Sequence, residues 1–78
     1  MKGGKVWLTL KQLRLSRLLT QEAVARAVGV TQQTVATWEK GERYPQLTQM
    51  AKLAQFFGLS TDEITRVIDE SMASKEAD

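Results

Sequence analysis

The sequence predicts an all-α domain of five helices, and three observations lead to that reading. Apolar residues recur at helical spacing in five separate stretches, and no stretch alternates as a half-buried strand would. Threonine and serine stand where helices would begin, and glycine and proline where they would end. The 78 residues leave room for one domain, read over residues 1–78 with its core at about 9–68.

The first helix is expected to open at Thr9, with Gln12 three residues on as its capping-box partner, and to run to about Leu18 with Leu10 and Leu13 on one face. Thr20 caps a second helix, in which Glu22 complements the positive end of the dipole and Val24, Ala25 and Val28 form the apolar stripe. Gly29 ends it as a left-handed cap. Thr31 caps a third helix, with Val35 and Trp38 pointing inward and Gly41 after its end. Tyr44-Pro45 reads as extended chain. A fourth helix follows from about Leu47 to Phe57, with Leu47, Met50, Leu53, Ala54 and Phe57 at core spacing, and stops at Gly58. Ser60 and Glu63 form a second capping box, and Ile64, Val67, Ile68 and Met72 line one face of a fifth helix. From about Ser74 the tail is polar and expected to fray.

Composition excludes much. The chain has no cysteine and no histidine, which removes disulfides, thiolate nucleophiles, zinc fingers and imidazole acid-base chemistry, and suits a reducing cytoplasm. Behind the basic Met1-Lys2-Gly3-Gly4-Lys5, the apolar run Val6 to Leu8 is too short for a signal peptide, and no segment approaches membrane-spanning length. Asp62-Glu63 and Asp69-Glu70 are adjacent carboxylates, yet helical neighbours point about 100° apart and do not converge. No catalytic residue, metal ligand set or cofactor site is implied, so an enzyme is the weakest reading. Net charge is +2, but its distribution is uneven. Lys2, Lys5, Lys11, Arg14, Arg17 and Arg26 face only Glu22 in the first third, whereas the last residues are acidic. A basic front suits a polyanion partner.

Between Gln21 and Lys40 the residue types solve one packing problem. Two helices crossing steeply through a tight turn need a small residue at the crossing (Ala25) and one tolerating positive φ in the turn (Gly29). They also need apolar residues facing the rest of the domain, and Val24, Val28, Val30, Val35 and Trp38 fill those places.

Leu19-Thr20-Gln21-Glu22, Val24-Ala25, Gly29-Val30-Thr31-Gln32-Gln33, Trp38-Glu39-Lys40-Gly41 and Pro45 resemble the lambda-repressor-like helix-turn-helix family, of the Cro/repressor or XRE type. The resemblance spans roughly residues 9–68. It implies a compact five-helix domain that binds double-stranded DNA, acts on transcription, and is often a homodimer on a near-palindromic operator. Carried over by position, Gln32 and Gln33 match base-reading residues, and a carboxamide has the donor and acceptor that adenine N6 and N7 require. Thr37, on the face of Gln33, is a further base contact, although Ala36 and Thr37 stand where longer polar side chains are common in the family. Gln21 matches a phosphate contact that also braces the first recognition glutamine. Thr31, Lys40, Arg43 and Arg17 are phosphate candidates. Arg14 and Glu39 match a largely buried ion pair and belong to the framework.

Trp38 and the Phe56-Phe57 pair read as core, Trp7 as a cover for the core's edge or an interface, and Leu18 stands where the family often places glycine. Ile64, Val67, Ile68 and Met72 are either core or a dimer surface. Two other readings remain open, the first within the regulator class and the second a class of its own. One is an antitoxin that binds a toxin or another regulator as well as DNA, and the other a protein-interaction module that kept only the fold.

Overall fold

Helices begin in this chain where a side chain satisfies backbone N–H groups that have no partner within the helix. The computed structural model describes residues 8–74. They form α1 (Leu10–Ser16), α2 (Gln21–Val28), α3 (Gln32–Glu39), α4 (Leu47–Phe57) and α5 (Thr61–Ser74), with no strand among the described residues. Thr9 accepts from the Gln12 backbone N–H at 3.2 Å while the Gln12 side chain accepts from Thr9 N–H at 2.9 Å, completing the expected capping box. Thr20 and Thr31 accept from Ala23 and Thr34 N–H at 3.0 and 3.1 Å. Ser60 and Glu63 cap α5 reciprocally at 3.1 and 2.9 Å. The Gln49 side chain also accepts from Gln46 N–H at 2.8 Å, at the start of α4, a contact the sequence reading did not include.

The helices bury one common core. Leu10, Val24, Val35, Leu53, Ile64 and Ile68 are fully inaccessible, and Trp38 is nearly so. α2 packs on α3 and α4, while α5 lies against α1, α3 and α4. This position of α5 corrects the dimer reading of its apolar stripe. Ile64, Val67 and Ile68 are buried within a single chain, and Met72 packs against the same core. Ile64, Val67 and Ile68 are not available as a docking face, and Met72 is only partly exposed. Ser71 is buried among them: its hydroxyl accepts from Leu10 N–H at 2.7 Å and donates to the Val67 carbonyl at 3.1 Å. An orphan donor at the start of α1 is thereby satisfied from α5.

Other expectations also need correction. α1 stops at Ser16, not near Leu18, because Leu18 adopts a left-handed conformation with φ 57°. Its side chain is 93% exposed, so no packing offsets a strain of about 1–2 kcal/mol. Leu47 is 88% exposed, since the first turn of α4 borders an open groove with Tyr44, Pro45 and Thr61 and no helix covers it. Phe56 is partly exposed while Phe57 is core, because helical neighbours point about 100° apart and Phe56 lies at the edge of the buried face. Their rings meet edge-on, 5.0 Å between centroids. Gly29 has φ 83°, as the tight turn between α2 and α3 required. Trp7, the basic residues Lys2 and Lys5, and the polar tail beyond Ser74 lie outside the described residues.

Candidate nucleic-acid interface

The α2–turn–α3 unit presents the first turn of α3 outward. Thr31, Gln32 and Gln33 are exposed, whereas Val35, Ala36, Trp38 and Glu39, further along the same helix, are buried. Capping by Thr31 sets this start, and its hydroxyl lies 2.9 Å from that of Thr34. The three leading side chains thus project from the positive end of a helix, where an anion is favoured.

Behind that surface lies a chain of polar contacts. Arg14 and Glu39 form a two-pronged ion pair, Nε to Oε2 at 2.6 Å and Nη2 to Oε1 at 3.1 Å, joining α1 to the end of α3. Both residues are buried, at 8% and 5% exposure, which is the framework role expected of them. Arg14 Nη1 also donates to the Leu19 carbonyl at 2.9 Å, so its donors hold the α1–α2 connection as well. Glu39 Oε1 accepts from Gln21 Nε2 at 2.9 Å. Gln21 Oε1 in turn accepts from Gln32 Nε2 at 2.5 Å. The expected brace between Gln21 and Gln32 is therefore present in the geometry.

Gln33 and Thr37 line a groove of about 460 Å³ together with Thr31, Arg43 and Tyr44. The Thr37 hydroxyl donates to the Thr34 carbonyl at 2.7 Å, which leaves its methyl group and an oxygen lone pair for a ligand. The Thr37 carbonyl accepts from Glu42 and Arg43 N–H at 3.0 and 3.4 Å and so folds the loop after α3 back on the helix. Lys40, at the end of α3, and Arg43, in that loop, are both exposed.

Arg17 goes elsewhere. Its Nη2 donates to the Phe57 carbonyl at 3.1 Å and its guanidinium lies 5.6 Å from the Phe57 ring centroid. The last carbonyl of α4 carries the negative end of that helix's dipole, so this one donor of Arg17 serves the α1–α4 junction, away from the groove beside α3, while the side chain stays exposed.

Sequence reasoning missed Tyr44, Gln46 and Gln49 as groove-lining residues. Tyr44 donates to Asp69 Oδ1 at 2.8 Å, tying the loop after α3 to α5. Its phenol pKa is raised above 10.0, first by burial, then by the hydrogen bond to Asp69 and by that carboxylate's charge. The Gln46–Gln49 spacing was a legible capping signal. Nothing local announced the Tyr44 contact.

A family model described as helix-turn-helix (HTH_3) matches residues 10–64. The chain is 39% identical over 70 residues to the cryptic phage CTXphi transcriptional repressor RstR of Vibrio cholerae, a match covering 85% of this chain and 63% of the repressor. It is 34% identical over 55 residues to the HTH-type transcriptional activator BcrR of Enterococcus faecalis, covering 70% of this chain and 27% of the activator. An uncharacterized HTH-type transcriptional regulator of Methanocaldococcus jannaschii is 42% identical over 55 residues, 70% of this chain and 83% of the relative. The chain thus spans less than two thirds of the first two proteins. No solved structure matches it.

Proposed function

This chain belongs to the helix-turn-helix family of DNA-binding transcriptional regulators, and on that premise we propose that it is a repressor-like protein reading a near-palindromic operator as a homodimer. The observation that supports sequence-specific reading is the outward first turn of α3, where two carboxamides stand side by side and one of them is braced by Gln21. In this reading Gln32, Gln33 and Thr37 meet base edges in the major groove. Gln21, Thr31, Lys40 and Arg43 meet phosphates and set register. Residues 1–78 act as one DNA-binding unit in the cytoplasm. No helix among the described residues is long and apolar enough to cross a membrane.

With the apolar stripe of α5 inside the core, the dimer contact falls to the groove at the start of α4. Leu47, Pro45 and Met50 make it mainly apolar, and Tyr44 and Gln46 line both this groove and the one beside α3. In this reading a second copy seats there, and a palindromic operator requires the two recognition helices to lie about one DNA turn apart.

Selection from a random double-stranded DNA pool tests the reading. The expected result is a near-palindromic motif bound at least ~10³-fold more tightly than random DNA and lost in the Gln32→Ala, Gln33→Ala double variant. Enrichment of no motif, or binding that the double variant leaves unchanged, would sink it and favour a protein partner such as a toxin.

A further inference from the structure

We infer that Glu39, which lies behind the recognition surface, sets which base Gln32 accepts by fixing the direction of the hydrogen bonds that run through Gln21. The inference rests on the base-reading role proposed for Gln32.

A primary carboxamide is ambiguous by itself, since either end can face a partner and its flip exchanges donor for acceptor. A carboxylate is not ambiguous, because it only accepts. Glu39 is held against Arg14 by two bonds in a buried site, so its Oε1 can take only a donor from Gln21, and Gln21 turns Nε2 towards it. That leaves Gln21 Oε1 facing outward as an acceptor, and Gln32 must meet it with Nε2. The direction imposed by one buried charge thus reaches the exposed surface through two amides.

The consequence is a defined face on Gln32. One N–H of its amide is engaged by Gln21, and what remains is one N–H and the carbonyl oxygen. Adenine offers N7 as acceptor and N6–H as donor in the major groove, which matches that face bidentately. Guanine offers two acceptors, N7 and O6, so the fixed carbonyl of Gln32 would oppose one of them. Glu39 is therefore a positioning residue for adenine over guanine, with no contact to DNA.

The test repeats the selection from a random double-stranded pool with four proteins: the wild type, Gln32→Ala, Gln21→Met and the Arg14→Met, Glu39→Leu double variant. The Gln32→Ala comparison identifies the operator position that this side chain reads. The expected result is a wild-type preference for adenine over guanine at that position of about 5- to 150-fold, the range of a bidentate contact. It should collapse towards parity in both Gln21→Met and the double variant while preferences at other positions persist. Those surviving preferences report a folded, DNA-bound protein, which a purely structural role for the network would leave unaltered at every position. If Gln32→Ala abolishes the preference but the other two variants keep it, the relay is overturned and base reading stands. If Gln32→Ala changes no position, base reading falls and the relay falls with it.

Discussion

Leu18 and Arg14 each carry a local cost, and they respond to mutation in opposite directions. Leu18 is left-handed and exposed, so a glycine there removes steric strain and gives up almost no packing. Relief of about 1–2 kcal/mol is partly offset by the extra freedom of an unfolded glycine, about 0.5–1 kcal/mol. Leu18→Gly should raise the melting temperature by a few degrees without altering DNA affinity, as a thermal scan by circular dichroism would show. Arg14 is buried against Glu39, and its loss strands a carboxylate beneath α3. Arg14→Ala should cost about 3–5 kcal/mol, most of the stability of so small a domain, whereas the Arg14→Met, Glu39→Leu pair should lie near the wild type in urea unfolding. Equal destabilisation by the single and the paired change would show that the cost is lost packing and not stranded charge. The two residues are 25 positions apart, and neither charge nor periodicity joins them; only the family resemblance placed them together.

At the scale of elements, the helix starts were legible because capping is local chemistry between residues three apart. Thr9, Thr20, Thr31 and Ser60 each cap as their spacing implied. Thr31→Ala should cost about 1 kcal/mol in chemical denaturation and weaken DNA binding further, because the same turn presents Gln32 and Gln33. What was not legible depends on which helix covers which. The stripe of α5 has the same pattern whether it meets α1, α3 and α4 or a second chain, and the structure assigns it to the core. Leu47 has core spacing on α4 but no helix above it. Tyr44 and Asp69 also meet across 25 residues, and their bond supplies a pH response. Because burial and Asp69 raise the folded phenol pKa above the unfolded 10.0, the neutral form is favoured on folding. Its contribution is complete below pH 10 and is lost as pH rises through the folded value. Unfolding monitored between pH 8 and about 11.5 should show an alkaline loss of stability that is smaller in Tyr44→Phe; identical profiles would remove Tyr44 as its source.

For the whole molecule, net charge is a poor guide and the placement of charge a better one. The excess of cations over anions is only +2, yet DNA affinity depends on the few cations that can reach phosphate together. Lys40 and Arg43 are exposed at the end of α3 and in the loop beside its groove, whereas Arg17 is engaged with the last carbonyl of α4. The sequence could not separate these three, since each is a basic residue near the motif and only the fold decides which element it serves. A salt titration separates them. Each phosphate contact adds about 0.9 to the slope of log affinity against log salt, so Lys40→Ala and Arg43→Ala should each lower that slope by about one per subunit and weaken specific and random DNA alike. Arg17→Ala should leave the slope unchanged and instead lower thermal stability, through the lost carbonyl contact and the exposed Phe57 ring. A reduced slope in Arg17→Ala at wild-type stability would return that residue to the interface. The donors that Nη2 leaves free would then be the ones that reach phosphate.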